Sequence, residues 1–344
     1  MRRVIFWLLV LGLTGTTALY AGNTKRDIRV SPEWITGVLE TPKTANPWMV
    51  VEVSWGKGDK YAEGHIPGAI HINTDEIEYD EFNSRTETAA GKLGRSTTPE
   101  QDLAKGLTPD STLPKNYWNL YPDRYLLPAL AHMGITRTSR VIVYSHDITA
   151  AARLSWALLY AGIDDLRILD GGLASWKEAG YPVSTTPQPR TPAQSFGSEK
   201  ALHPEYLANI ATVRGVVLEK RRDAVMVDIR TRDEYEGKAA PYSYIPTKGR
   251  IKGALWGEAG DGPWTMESYT GKEGRLKEPA DVAAMWKSHG ITGTKAPYFY
   301  CGTAWRSSLA FLYAWMLGWE GAKNFDSSWY AWSMGPDAAQ NPME

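Results

Sequence analysis

The chain has 344 residues, 22% of them charged, and its formal net charge is −1 at pH 7. This length suits two domains of ordinary size, and the near-zero charge leaves no broad basic surface, so nucleic-acid binding has no electrostatic support. Fifteen Trp and eighteen Tyr against six Phe indicate a globular interior whose buried rings carry polar atoms that need hydrogen-bond partners.

The N-terminal segment has the pattern of a secretory signal. Arg2 and Arg3 precede a run of about ten apolar residues that ends at Leu13, and small residues follow as far as Ala21. The run is too short for a membrane span, so we expect residues 1–21 to be removed on export to the periplasm or out of the cell, which leaves no stable span. An uncleaved anchor is the alternative.

Apolar runs at residues 49–53 and 225–229 have the composition of buried parallel strands. After each run, short strand patterns alternate with helix patterns. This alternation predicts an α/β fold with a mainly parallel sheet in each half of the chain. Ligands of such sheets bind at the carboxyl ends of the strands.

Two parts of the chain repeat at a constant separation. Gly134-Ile135-Thr136 recurs 156 residues later as Gly290-Ile291-Thr292, and at the same separation Ser145 matches Cys301 and Asp170 matches Asp326. No gap is needed in this alignment, so the sequence predicts two copies of one domain, over residues 28–182 and 201–336.

Two polar segments interrupt this pattern. Residues 183–200 contain three prolines and no apolar periodicity, which predicts an extended linker between the copies. The first copy also contains a polar insertion over roughly residues 83–116. We expect a surface excursion there, and its length leaves a functional role open.

Cys301 is the only cysteine of the chain, and it lies between a strand-like aromatic run and an apolar helix-like run. Backbone N–H groups at a strand–loop–helix junction, together with the positive end of the helix, favour a thiolate over a thiol. One cysteine also excludes an internal disulfide. The pattern therefore indicates a nucleophile, and a small buried hydrophobic residue is the alternative.

These features resemble the rhodanese (thiosulfate sulfurtransferase) family in its tandem two-domain form, over about residues 30–335. The first copy contains Tyr61-Ala62-Glu63-Gly64-His65-Ile66-Pro67-Gly68-Ala69, which is similar to the N-terminal signature of the family. The second contains Asp228-Ile229-Arg230, similar to the Asp-x-Arg element, and Cys301 at the nucleophile position. The resemblance implies two tandem rhodanese-like domains, of which the first, with Ser145, is catalytically inactive.

The resemblance also implies a two-step sulfur transfer. The Cys301 thiolate takes the outer sulfur of thiosulfate or a similar donor as a persulfide, and a thiol or cyanide acceptor then removes it. The partners are thus small molecules. No cofactor is expected, and no metal, since the six histidines and one cysteine show no ligand spacing.

The donor-binding residues implied by the resemblance are those of the loop after the cysteine and two arginines that follow strand ends. Asp228 is expected to hold its turn or to pair with an arginine, and Trp305 either covers the pocket or packs beneath the loop. The full set is Gly302, Thr303, Ala304, Trp305, Arg306, Arg230 and Arg250.

The loop departs from both familiar loop types of the family. Gly302 stands where thiosulfate-type loops carry a basic residue. Mercaptopyruvate-type loops have Gly there and Ser at the position of Thr303, but they use a histidine from the first domain, and no histidine lies between His71 and His132. A mercaptopyruvate sulfurtransferase, a sulfur or metalloid carrier, and a phosphatase of this fold stay open as alternatives. The four residues between the cysteine and the arginine are one fewer than in phosphatase loops.

Overall fold

The computed structural model describes residues 26–40, 46–56, 58–80 and 117–344. The expected signal, residues 1–21, and the polar insertion, residues 83–116, lie outside these ranges, so both stay predictions. None of the described helices combines the length and the apolar character that crossing a membrane requires.

The first half of the chain forms a parallel sheet of five strands. They are β1 (Arg29–Val30), β2 (Trp48–Ser54), β3 (Ile70–Asn73), β6 (Arg140–Tyr144) and β7 (Leu166–Leu169), in the order β1-β7-β6-β2-β3. The flanking helices are α1 (Pro32–Glu40), α2 (Asp59–Glu63), α3 (Asp123–His132), α4 (Ile148–Ala161) and α5 (Gly172–Glu178). Alternate residues of β2 and β6 pack into two different hydrophobic clusters, so both faces of the sheet are buried.

The second half repeats this architecture. Its strands are β8 (Leu207–Ala208), β9 (Ala224–Asp228), β10 (Leu255–Trp256), β11 (Ala296–Tyr300) and β12 (Lys323–Phe325), in the order β10-β9-β11-β12-β8. The helices are α6 (Ile210–Leu218), α7 (Arg232–Tyr235), α8 (Pro279–Ser288), α9 (Trp305–Met316) and α10 (Ser328–Met334). Read from the opposite edge, equivalent strands follow the same order in both sheets. The predicted fold of two α/β domains with parallel sheets is confirmed.

A small antiparallel sheet of β4 (Glu78–Asp80) and β5 (Tyr117–Leu120) belongs to the first half. The segment between the two halves, residues 183–200, contains no strand or helix and is attached to the first half. Ser184 forms a bridge with His65, and Arg190 pairs with Glu76 at 2.6 Å.

The two halves join through helices α4 and α9, which pack against each other. Leu154 and Trp156 of α4 and Leu309 and Phe311 of α9 belong to one hydrophobic cluster that extends into both halves. Each of these helices follows the loop that carries Ser145 or Cys301. The packing therefore brings the loop of Cys301 next to the first half of the chain.

Candidate active site

Cys301 directly follows β11 and is 1% exposed. Its N–H donates to Ser328 Oγ at 3.2 Å, and its carbonyl accepts from the N–H of Trp329 at 3.0 Å. The N–H of Tyr330 donates to the carbonyl of Gly302 at 3.0 Å. The first turn of α10 therefore fixes the backbone on both sides of the Cys301–Gly302 peptide.

The backbone after the cysteine turns sharply into α9, which begins at Trp305. Ala304 has a left-handed φ of 66° and provides no side-chain cap for the helix. Within the described part of the chain, the N–H groups of residues 302–306 have no hydrogen-bond acceptor. Successive free N–H groups at a left-handed turn and a helix N-terminus form a concave site for an anion.

Arg306 lies beneath this loop with 3% of its surface exposed. Its two terminal nitrogens bind both carboxylate oxygens of Glu234 at 3.0 and 3.1 Å, and Nη2 also donates to the Tyr242 hydroxyl at 2.7 Å. Burial opposes the positive charge, but Tyr242, Glu234 and Cys301 together raise the pKa of Arg306 above its usual value. The guanidinium therefore stays charged beside the thiol, with most of its charge balanced by Glu234.

Glu234 is held in place by its own helix. In a capping box at the start of α7, its carboxylate accepts from the N–H of Thr231 at 3.1 Å, and the Thr231 hydroxyl accepts from the N–H of Glu234. Burial opposes ionisation of Glu234, but Arg306 outweighs it and holds the pKa of this carboxyl below its usual value. Glu234 was not predicted from the sequence, although the Thr-x-x-Glu spacing of residues 231–234 is a signal that could have marked it.

The ring of Tyr242 lies beside Gly302. A Cβ at position 302 would lie 3.0 Å from Tyr242 Cε2, closer than an ordinary van der Waals contact, so any side chain there requires the ring to shift by a few tenths of an ångström. The Tyr242 hydroxyl donates to the carbonyl of Pro263 at 2.8 Å, and burial raises its pKa, so the hydroxyl stays neutral. No motif in the sequence marked this residue, because it lies far from the loop along the chain.

The two arginines expected to bind the donor have other partners. Arg230 binds both carboxylate oxygens of Asp228 at 2.8 and 2.6 Å and the carbonyl of Gly249 at 2.8 Å, and it is 2% exposed. Asp228 also accepts from the Tyr300 hydroxyl at 2.7 Å. The Asp-x-Arg element thus forms a buried ion pair beside β11.

Arg250 faces the C-terminal residue of the sequence. Its Nη2 pairs with Glu344 at 3.0 Å, its Nη1 donates to the carbonyl of Tyr235 at 3.0 Å, and its guanidinium lies 4.3 Å from the centre of the Tyr235 ring. The contacts of Arg230 and Arg250 are therefore with residues outside the loop 301–306. Their role in binding the donor stays a prediction.

Trp305, the first residue of α9, is bound by the first domain. Its indole N–H donates to Glu78 Oε1 of β4 at 2.7 Å. Of the two roles expected for Trp305, this contact favours packing at the base of the loop.

The equivalent loop of the first domain has a different chemistry. Ser145 Oγ accepts from the N–H of Asp147 at 3.0 Å, and the Asp147 carboxylate caps α4 by accepting from the N–H of Thr149 at 2.8 Å. A carboxylate that already occupies the helix N-terminus leaves no place for a bound anion. The first loop therefore lacks the thiol, and the N–H groups of Asp147 and Thr149 already have acceptors.

Comparison with known proteins agrees with this architecture. Residues 31–179 and 216–334 match the Rhodanese-like domain family. The chain belongs to the rhodanese family. Thiosulfate sulfurtransferase YnjE of Escherichia coli is 34% identical over 319 residues, which cover 91% of this chain and 64% of that relative. Sulfur carrier protein TtuD of Thermus thermophilus is 26% identical over 323 residues, covering 90% and 95%.

Solved structures of rhodanese-like proteins superpose over most of the chain. The crystal structure of YnjE has a TM-score of 0.75 at 34% identity and covers 92% of this chain and 68% of its own. The anaerobic ergothioneine biosynthesis enzyme of Chlorobium limicola, solved with trimethyl histidine, has a TM-score of 0.76 at 29% identity, covering 93% and 70%. This rhodanese chain thus spans about two thirds of the YnjE length and nearly all of TtuD.

Proposed function

We propose that this chain is a sulfurtransferase that moves a sulfane sulfur from thiosulfate or a similar donor to a thiol or cyanide, through a persulfide on Cys301. The observation that carries the proposal is the buried thiol at the start of a turn whose N–H groups, residues 302–306, have no acceptor among the described residues. Those groups suit a thiolate before the reaction and a persulfide anion after it. The name of YnjE supports thiosulfate as the donor.

In the first step, the Cys301 thiolate attacks the outer sulfur of thiosulfate. A sulfur–sulfur bond forms to the cysteine, the sulfur–sulfur bond of thiosulfate breaks, and sulfite leaves with the electron pair. In the second step, cyanide or a thiolate attacks the outer persulfide sulfur and restores the Cys301 thiolate. No oxidant or reductant is consumed: a neutral sulfur atom passes from donor to acceptor, thiosulfate and sulfite carry the same charge, and Cys301 starts and ends as a thiolate.

Recognition of the anionic donor depends mainly on the loop backbone. Arg306 is already paired with Glu234, so this pair adds little net charge to the site. Free N–H groups in a site shielded from water stabilise charge strongly, because no solvent has to reorganise. We therefore infer that the N–H groups of residues 302–306, rather than Arg230 or Arg250, stabilise the negative charge of the departing sulfite.

A second acceptor class is favoured by the aromatic residues beside the loop. Five rings form an aromatic wall in which neighbouring centroids lie 4.8–6.1 Å apart, and Trp264 is 64% exposed. Faces of such rings attract organic cations, and the Chlorobium limicola enzyme was solved with trimethyl histidine. A cationic aromatic acceptor is thus the alternative to a thiol. The aromatic wall consists of Trp118, Tyr242, Tyr244, Trp264 and Tyr330.

The test is sulfur transfer by the purified protein from thiosulfate, a thiosulfonate or mercaptopyruvate, with cyanide, a thiol and a trimethylammonium imidazole as acceptors. We expect thiocyanate from thiosulfate and cyanide, none from Cys301→Ser, and an unchanged rate from Ser145→Ala. If the wild type forms no more product than the Cys301→Ser variant, the proposed sulfurtransferase activity is refuted. A protein mass raised by one sulfur without turnover would favour a carrier, as the name of TtuD suggests.

We also propose that residues 1–21 direct export and are then removed. The basic start, the apolar run and the small residues up to Ala21 support this. N-terminal sequencing of the protein recovered from the periplasm or the medium tests it. An intact N-terminus on protein found only inside the cell would contradict it.

A further inference from the structure

Glu78 of the first domain reaches the loop of Cys301 through Trp305. The carboxyl group is completely buried. Its Oε1 accepts from the Trp305 indole at 2.7 Å, and its Oε2 accepts from Arg153 Nε at 2.7 Å. Because Trp305 is the first residue of α9, this contact fixes the end of the loop that is distal to the cysteine.

A second set of contacts from the first domain holds the opposite side of the loop. Arg153 Nη2 lies 2.7 Å from Asp326 Oδ1, and the N–H of Leu120 donates to Asp326 Oδ2 at 2.9 Å. Asn119 donates to Ser327 Oγ at 3.1 Å. Asp326 and Ser327 directly precede α10, the helix whose first turn binds the Cys301–Gly302 peptide. Side chains and backbone of the small β4–β5 sheet and of α4 therefore form hydrogen bonds at both ends of the loop.

The chemistry of this cluster favours a role in positioning over a role in stability. One guanidinium, Arg153, contacts two buried carboxylates, Glu78 and Asp326, each at 2.7 Å. Buried ion clusters are commonly no more stabilising than apolar side chains of similar volume, whereas they fix one geometry. One of the two Glu78 oxygens also accepts a hydrogen bond from the Trp305 indole of the second domain.

We propose that Glu78 is a positioning residue for Cys301: by holding the Trp305 indole it sets the start of α9 and so the position of the turn of residues 302–306 that follows the cysteine. The first domain then takes part in catalysis although Ser145 has no thiol. This inference deepens the proposed function and rests on it. Its effect on the sulfur is nevertheless measurable without any sulfur transfer, because Cys301 is the only cysteine.

The experiment compares the wild type with Glu78→Gln, Trp305→Phe and the double variant. The rate of Cys301 alkylation by iodoacetamide, followed by mass spectrometry over a range of pH, reports the pH at which the thiolate forms. Trp176→Phe is the matched control, because its buried indole donates at 2.8 Å to the carbonyl of Pro182 within the first domain. Thermal unfolding and thiosulfate kinetics are measured on the same samples.

We expect Trp305→Phe to lower the rate of Cys301 alkylation at neutral pH roughly tenfold, since it removes the indole donor, and Glu78→Gln to lower it by a similar factor, since its single oxygen cannot accept from both the Trp305 indole and Arg153. The double variant should show no further loss, because both changes break the same link. Trp176→Phe should leave the alkylation profile unchanged.

An unchanged alkylation profile for Trp305→Phe, or additive effects in the double variant, would overturn the inference. If Glu78→Gln does not fold, Trp305→Phe decides alone, because it leaves the ion cluster intact. Failure of the proposed function has a different result: no thiocyanate from the wild type, with the alkylation differences still present.

Discussion

Replacing Glu52 by glutamine is expected to stabilise the protein at alkaline pH. Glu52 is completely buried in β2, and its Oε1 has no hydrogen-bond partner within the described residues. In the register of the parallel strands, Glu52 lies opposite Tyr144 in the first sheet, as Asp228 lies opposite Tyr300 in the second. Two residues after Asp228, Arg230 supplies a positive counter-charge. Two residues after Glu52 the chain has Ser54, which carries no charge.

The magnitude follows from the ionisation of this unpaired carboxyl. Burial raises the pKa of Glu52 from 4.5 to about 7, and a hydrogen bond from Ser54 offsets only part of the effect. His71 Nε2 lies 3.6 Å from Glu52 Oε2 but supplies no counter-charge near neutral pH, because burial lowers its pKa to about 4. A pKa of about 7 against 4.5 corresponds to about 3 kcal/mol, at roughly 1.36 kcal/mol per pH unit.

The sign is set by the proton that the folded state retains. The contribution of Glu52 to stability is fully present below its unfolded pKa of 4.5 and is lost as the pH rises through about 7. Glutamine cannot ionise, so Glu52→Gln avoids this loss. We expect nearly equal free energies of unfolding near the unfolded pKa of Glu52, and a variant that is more stable by about 3 kcal/mol in mildly alkaline buffer.

The assay is denaturant unfolding followed by tryptophan fluorescence for both proteins over this pH range. Curves of unfolding free energy against pH that run parallel, or a variant that is less stable in alkaline buffer, would refute the reasoning. Asp228→Asn is the companion variant and should have the opposite sign.

Three further predictions concern the second domain. Asp228→Asn leaves the buried charge of Arg230 without its carboxylate, so the free energy of unfolding should fall by about 3–5 kcal/mol in denaturant titrations; a loss under about 1 kcal/mol would contradict the ion-pair assignment. Gly302→Ala places a Cβ 3.0 Å from Tyr242 Cε2, so kcat for thiosulfate should fall roughly tenfold with little change in Tm, and wild-type kinetics would show that the ring yields freely. Trp264→Ala removes an exposed ring, so Tm should stay constant while KM rises for a cationic aromatic acceptor and not for cyanide; equal changes for both acceptors would argue against a cation site.

The sequence predicted the fold well because the fold depends on local patterns that occur twice. The runs that became β2 and β9 are apolar enough to be buried on both faces, and the 156-residue separation aligns Ser145 with Cys301 without a gap. The strand–loop–helix junction at Cys301 is likewise local, and the structure has it as expected.

The surroundings of the cysteine were less accessible from sequence, because they depend on side chains that are distant along the chain. Tyr242 and Glu78 contact the loop or its helix across large separations, and no motif marks either residue. The position of Arg230 two residues after Asp228 was a local signal for their ion pair, since such residues share a face of an extended chain. The pairing of Asp228 with an arginine was expected, and the partner is the same Arg230 that was expected to bind the donor.

The packing of α4 against α9 has a consequence for synthesis of the protein. Most of α4 is buried, and part of that burial is provided by α9, which begins only at Trp305. During synthesis, the apolar surface of α4 therefore stays exposed on the nascent chain after the first sheet is complete, until α9 has been made near the end of the chain. Premature collapse or association of this nascent half is the hazard, and a holding chaperone is the remedy that such a delay calls for.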